Sequence, residues 1–452
     1  MGRNNKIKSN IMNMTEGNPL GLLLRFALPM FLGNLFQQLY NLADTIIVGR
    51  LVGANALAAV GVTGSITFLF FALCNGIGSG GGIITSQYFG RGDDTSVKKC
   101  ISNTGIIMVV FPLIVGTVAY LLADPILRLL STPEDIFADS LTYLKVMCIG
   151  LLFVSLYNYA SAMLRSLGDS KTPLIFLVIS CVLNVALDLL FVIVFKAGVL
   201  GAAVATVISQ FLSGIMCLFF AIKTNEYFKM KKEDFELDKN IVGQVLKLGI
   251  PMSLQFSLIA ISCMALQSVV NSFGQIAVAA FTATSRIEQL IHQPYTTLGS
   301  SLSTFVGQNY GANKKDRIVN GYHQSLMIMF LFSMAMLPFM WFFGDDITAW
   351  FVSDQDVIIM GATALKITSI FYVFLGMIYV VRGVLNGLSD AFFSLLNGII
   401  EVIGRFTVPF ALCAVSFIGV WGIWWSVGVV WFLSGFTAWL RYRFFVKKHE
   451  IV

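Results

Sequence analysis

The chain has 452 residues, 57% of them hydrophobic and only 12% charged, so about 258 apolar side chains need an environment other than water. A soluble globule of this size is excluded, and a polytopic helical membrane protein is implied, because twelve crossings at roughly 20 residues each would use about 240. The net charge of +6 is scattered, with no basic run longer than two residues, which fits cytoplasmic loops better than a nucleic-acid surface.

The first twenty residues are polar and lack the apolar core and small-residue cleavage site of a signal peptide, which predicts a cytoplasmic amino terminus. Apolar stretches of helix length then fall near 22–48, 57–85, 101–122, 140–164, 173–195 and 200–223. The polar linker NEYFKMKKEDFELDKN at 225–240 divides the chain into 1–224 and 241–452. Six more stretches follow, near 245–271, 277–305, 320–343, 358–385, 392–414 and 420–445. Even-numbered gaps carry Arg91, Lys98 and Lys99, then Arg165 and Lys171, then Lys229, Lys231, Lys232 and Lys239, then Lys314, Lys315 and Arg317; Arg441, Arg443, Lys447 and Lys448 follow the last span. Odd-numbered gaps hold Arg50, Arg128 and Lys196 singly, or only acids, as around Asp345, Asp346, Asp354 and Asp356. Lys and Arg mark cytoplasmic loops, so both termini are predicted to be cytoplasmic and the span count even. The seven cysteines show no CxxC spacing and read as small apolar residues.

The two halves repeat at a spacing of 221 or 222 residues. ALPM at 27–30 returns as GIPM at 249–252, GANALAAV at 53–60 as GQIAVAAF at 274–281, SQYFG at 86–90 as GQNYG at 307–311, LGD at 167–169 as LSD at 388–390, and GVLGAA at 198–203 as GVWGIW at 419–424. Six spans is an even number, so both halves insert in the same orientation, and parallel repeats of this kind build transporters.

The stretches LPMFLGNLFQQLYNLADTIIVGRLVGANALAAVG at 28–61, SQYFGRGD at 86–93, RSLGDSKTP at 165–173 and GQNYGANKKDRI at 307–318 resemble the multidrug and toxic compound extrusion (MATE) family. The likeness runs in order along essentially the whole chain. It implies an all-α integral membrane fold of twelve transmembrane helices in two six-helix lobes around a central cleft. The implied activity is export of cationic amphiphiles in exchange for protons or sodium ions, without a cofactor or protein partner.

A carboxylate within a bilayer is costly and usually marks an ion path. The first half has two, Asp44 and Asp188. Gln37, Asn41 and Asp44 share one face of the first span, and Asn184 and Asp188 share one face of the fifth. Asp188 and Thr206 each lie nine residues from Ala197, where the fifth and sixth spans fold back, so both sit about 13 Å below that turn; Asp44 lies at a similar depth below Val52. Two carboxyls, an amide and a hydroxyl at one level could hold sodium through oxygen ligands, or a shared proton. The family resemblance implies a cation site of the same composition, to which Asp44, Asn184, Asp188 and Thr206 correspond.

The second half keeps no copy, since Asn184 corresponds to Arg405 and Asp188 to Pro409. It carries Glu288 and His292 in the eighth span and Glu401 and Arg405 in the eleventh, each pair spaced to meet on one helix face. These four are candidates for substrate contact or, for Glu401 with Arg405, for an internal ion pair that fixes packing. Glu288 or Glu401 can act as a counter-charge for a cationic drug or as a second protonation point; Glu288 is the better substrate candidate, with His292 tuning its ionisation. No GxxxxGK[ST] loop or HExxH motif is present, which argues against direct ATP use and zincin chemistry. A lipid-linked sugar flippase would need clustered intramembrane cations, for which only Arg286, Arg405 and Lys366 qualify.

Overall fold

The computed structural model of the protein describes residues 10–448, so both chain ends and His449 lie outside the described residues. The elements are α1 (Pro19–Ile47), α2 (Ala54–Arg91), α3 (Asp94–Leu129), α4 (Glu134–Ser166), α5 (Lys171–Leu189) and α6 (Gly198–Thr224), followed by α7 (Lys239–Asn271), α8 (Gln275–Gly311), α9 (Lys315–Ala349), α10 (Gln355–Ser369), α11 (Tyr372–Gly387), α12 (Ala391–Cys413) and α13 (Gly422–Lys448). No strand occurs among the described residues.

Among the described residues, ten helices are long and apolar enough to cross a bilayer, and the α10–α11 pair, taken as one span, makes an eleventh. The place of the predicted span 277–305 is taken by α8. Its 37 residues extend about 55 Å, ample for a crossing, but Arg286, Glu288, Gln289, His292 and Gln293 make it more polar than the others. The predicted tenth span is not straight; it bends by 53° between Ser369 and Tyr372. There the Phe371 amide donates to the Thr368 carbonyl at 3.0 Å, the tighter three-residue spacing. The Phe371 ring fills the space where Gly428 of α13 has no side chain and meets Trp425 edge-on.

The described residues form two compact units. One comprises the residues before Met14 together with Leu28–Ser253, the other Met14–Ala27 together with Leu254 onward. In the first, α4 packs against α2, α3 and α6, and α5 against α6. In the second, α11 packs against α8, α9 and α13, and α12 against α13, so the internal repeat returns as repeated helix pairing. Large apolar side chains such as Leu121 on α3 and Phe342 on α9 stay exposed, as a lipid-facing surface requires.

Two motifs of the sequence are structural fasteners. GQNYGANKKDRI grips the segment before α1: Gln308 accepts from the Met14 amide at 2.8 Å, Lys314 Nζ donates to the Thr15 carbonyl at 2.9 Å, and Arg317 donates to the carbonyls of Met14 and Gly17 at 3.0 and 2.8 Å. In LGDSKTP, Asp169 accepts from the amides of Lys171 and Thr172 and from the Thr172 hydroxyl, closing the start of α5. Burial holds this carboxyl above the ordinary carboxylate range despite those bonds. The linker is also ordered, with Asn103 of α3 donating to the Glu236 carbonyl at 3.1 Å and accepting from the Asp238 amide at 3.0 Å.

Within the first unit α2 and the start of α7 approach through small residues. A methyl at Gly80 would lie 2.7 Å from the Gly249 nitrogen and 2.8 Å from its Cα, and backbone cannot give way. Gly64, on the same helix, has nothing within 4 Å. Gly80→Ala therefore costs about 1–3 kcal/mol through overpacking, whereas Gly64→Ala is neutral or gains up to about 1 kcal/mol from helix propensity. Thermal unfolding in detergent separates the two, and equal melting temperatures would contradict the close approach.

Candidate cation site

The first unit brings the predicted residues of α1, α5 and α6 together. Asn184 Nδ2 donates to Thr206 Oγ1 at 3.3 Å across the α5–α6 hairpin, and the Tyr40 hydroxyl lies 3.4 Å from the same oxygen. The carboxyl groups of Asp44 and Asp188 are neighbours, and the Tyr143 hydroxyl of α4 lies within electrostatic range of both. Asn184 and Asp188 are 1% and 0% exposed, Thr206 and Tyr143 are buried, and Asp44 is half-buried.

The hydrogen bonding is one-sided. Asp44 Oδ1, Asn184 Oδ1 and both carboxylate oxygens of Asp188 are buried without a hydrogen-bond partner. All four are acceptors, so what the site lacks is positive charge or a donor. A buried carboxylate without either costs several kcal/mol, and two side by side cost more.

Both acid-bearing helices lose regular α geometry just beyond the acids. A π-helical turn covers Val48–Val52 after Asp44, and another covers Leu190–Val194 after Asp188. Such turns are rare and often accompany functional sites. Gln37 and Asn41, expected as a supporting polar face, are exposed on α1. Tyr40 and Tyr143 were not anticipated. Tyr40 stands one turn before Asp44 and so had a spacing signal, whereas nothing local in α4 singles out Tyr143.

In the second unit Glu401 is the centre of an ionic network. Arg382 of α11 donates to its Oε1, Ser434 Oγ donates to the same oxygen at 3.1 Å, and Arg405 Nη2 lies 3.7 Å from Oε2. Arg382 Nε donates to Asn397 Oδ1 at 2.7 Å, and Arg405 Nη1 to Ser262 Oγ at 2.9 Å. The expected Glu401–Arg405 pair therefore exists, but Arg382 is the closer partner. The count of Arg286, Arg405 and Lys366 as intramembrane cations omits one: Arg382 of α11 is buried as well. Arg382 escapes a helix-face reading because its partners are on other helices. Glu288 and His292 also depart from expectation. They make no hydrogen bond with each other, Glu288 Oε1 and His292 Nε2 are buried without partners, and the His292 ring instead meets Trp431 edge-on at 5.5 Å.

A helical membrane fold with paired halves and an oxygen-lined intramembrane site defines a multi-pass transport protein. The MatE family profile matches residues 29–190 and 251–410, and the chain belongs to that family. It is 32% identical over 439 residues to the "Probable multidrug resistance protein YpnP" of Bacillus subtilis (strain 168), covering 96% of each chain. It is 24% identical over 439 residues to the "Multidrug export protein MepA" of Staphylococcus aureus (strain MSSA476), covering 95% of this chain and 96% of that one. Among solved structures, a MOP superfamily transporter from Pyrococcus furiosus superposes with a TM-score of 0.90 at 23% identity, covering 96% of this chain and 97% of that chain. A MATE crystal structure in the straight conformation gives 0.91 at 23% identity, with 97% and 99% covered. These structural likenesses establish the shared fold.

Replacing Glu401 by Gln strands two buried guanidinium groups. Glu401→Gln is expected to destabilise the protein by about 3–5 kcal/mol, the usual cost of breaking a buried pair. Thermal unfolding of the purified protein measures it, and a melting temperature unchanged from wild type would show that the network carries no such weight.

Proposed function

We propose that the protein is a cation-coupled antiporter that exports cationic amphiphilic drugs or other xenobiotics across the cytoplasmic membrane. The observation that carries the reading is the set of four unpartnered buried oxygens on Asp44, Asn184 and Asp188. The names of the relatives YpnP and MepA support the substrate class.

In this reading Asp44, Asn184, Asp188 and Thr206 bind the coupling ion, a proton or sodium. A proton shared by Asp44 and Asp188 supplies the missing donor, and sodium finds hard oxygen ligands in the same atoms. The ion favours one conformation of the first six spans by its differential affinity, and that conformation binds drug less tightly, so drug is released outside. Each half, 1–224 and 241–452, contributes six spans, and the linker 225–240 and both termini face the cytoplasm. Glu401 and Arg405 serve as internal packing charges, which leaves Glu288 and His292 as the candidates for substrate contact. The guanidinium groups of Arg382 and Arg405 are engaged by Glu401, Asn397 and Ser262, which weighs against a flippase for lipid pyrophosphates.

The test is efflux of a fluorescent organic cation from proteoliposomes under an imposed pH gradient or an imposed sodium gradient. Wild type is expected to respond to one gradient, and Asp44→Asn and Asp188→Asn to lose that response at least tenfold with normal expression. Undiminished efflux in both variants would overturn the reading.

A further inference from the structure

The exposed face of α8 has the wrong composition for lipid. From Gln275 to Ser300 its exposed side chains are Gln275, Thr282, Arg286, Gln289 and Ser300, interrupted only by Ile276 and Leu290. With half-buried Gln293 they follow helical spacing and form one polar stripe, with Ile276 and Leu290 along a single flank of it. On α9 the exposed residues of the middle turns are Met327, Phe330, Leu331 and Met334, the kind of surface that hydrocarbon accepts. An intramembrane stripe of amides, hydroxyls and a guanidinium belongs against water.

Arg286 lies on this stripe about 17 Å from the start of α8, and Gln293 stands at the middle of the helix. Its charge is unanswered. Among the described residues no carboxylate pairs with Arg286, whereas Arg128, Arg382, Arg405 and Arg441 each have one. Glu288, two residues further on, lies on the other side of the helix. The fold does not require the charge either. At the 221-residue spacing the first half has Gly61, Ser65 and Phe68 where the second has Thr282, Arg286 and Gln289.

We infer that Arg286 is a specificity-determining residue that receives the carboxylate of a zwitterionic amphiphile, with Gln289 adding an amide donor one turn along the same face. The inference rests on the export reading and narrows its substrate class, from cations in general to amphiphiles that carry a carboxylate as well as a positive charge. A guanidinium holds a carboxylate through two parallel N–H···O bonds. The same fixed charge repels a ligand whose only charge is positive, so one residue both attracts the zwitterion and disfavours its competitor. The apolar flank of Ile276 and Leu290 suits the body of an amphiphile better than a bare inorganic anion.

The test is equilibrium binding to the full-length protein in lipid nanodiscs, without an ion gradient. The probes are a fluorescent xanthene dye bearing a free carboxylate and the methyl ester of the same dye, which keeps the rings and the cation. Wild type is expected to bind the acid more tightly than the ester. Arg286→Gln is expected to lower the acid-to-ester affinity ratio at least about fivefold, with weaker binding of the acid, and Arg286→Lys to keep the acid favoured. An unchanged ratio in Arg286→Gln would overturn the inference. So would a fall that comes from tighter ester binding alone, since Arg286 would then be only a barrier to cations. Binding of neither dye to wild type would overturn the drug-export reading and this inference together, whereas a failure of ion coupling in the efflux assay leaves the dye ratio untouched.

Discussion

An intramembrane carboxylate is tolerated only when something answers its charge, and the arrangement of the first unit follows from this constraint. Asp44 of α1 and Asp188 of α5 are brought side by side, with the Tyr143 hydroxyl within electrostatic range of both and an amide turned so that its donor goes to Thr206 and its acceptor stays free. Had the fold needed only packing, a lysine or arginine within reach would have stabilised the pair more cheaply. Instead the oxygens are left open. A counter-charge that comes and goes is what such a place can use, and the π-helical turns beside both acids mark backbone that departs from the most rigid helical geometry.

The second unit answers the same constraint differently. Its helices pair as those of the first do, yet the repeat equivalents of Asn184 and Asp188 are Arg405 and Pro409. Its buried acid, Glu401, is fully engaged by two guanidinium groups and a serine hydroxyl. A satisfied network of this kind fixes helices α7, α11, α12 and α13 against one another. One half thus carries an open anionic site and the other a closed ionic core. Buried polar atoms without a partner remain in the second half beside the bend in the tenth span, on Glu288, His292 and Tyr372, and also on Ser303, Gln324 and Ser325.

Much of the architecture could be read from the chain because hydropathy and the repeat act over long, regular stretches. The spans, the linker and the convergence of Asp44, Asn184, Asp188 and Thr206 all rest on counting residues along helices and across one hairpin. What escaped reading depends on contacts between helices distant in sequence. Arg382 finds Glu401 from another helix, and Tyr143 reaches the acids from α4, so neither leaves a periodic signal. The bend at Phe371 arises where a ring occupies the space over Gly428, with no proline or glycine at the break to announce it. Conversely, the one-turn spacing of Glu288 and His292 suggested a pair, and packing against Trp431 took the imidazole elsewhere.

The central claim is that the Asp44–Asp188 cluster binds one exchangeable monovalent cation. Direct binding tests it: purified protein is titrated with radiolabelled sodium, and in parallel its proton uptake is followed with a pH indicator, in wild type and Asp188→Asn. The account predicts one cation per chain in wild type by one of the two measurements and its loss in the variant. Equal uptake by wild type and Asp188→Asn would contradict it.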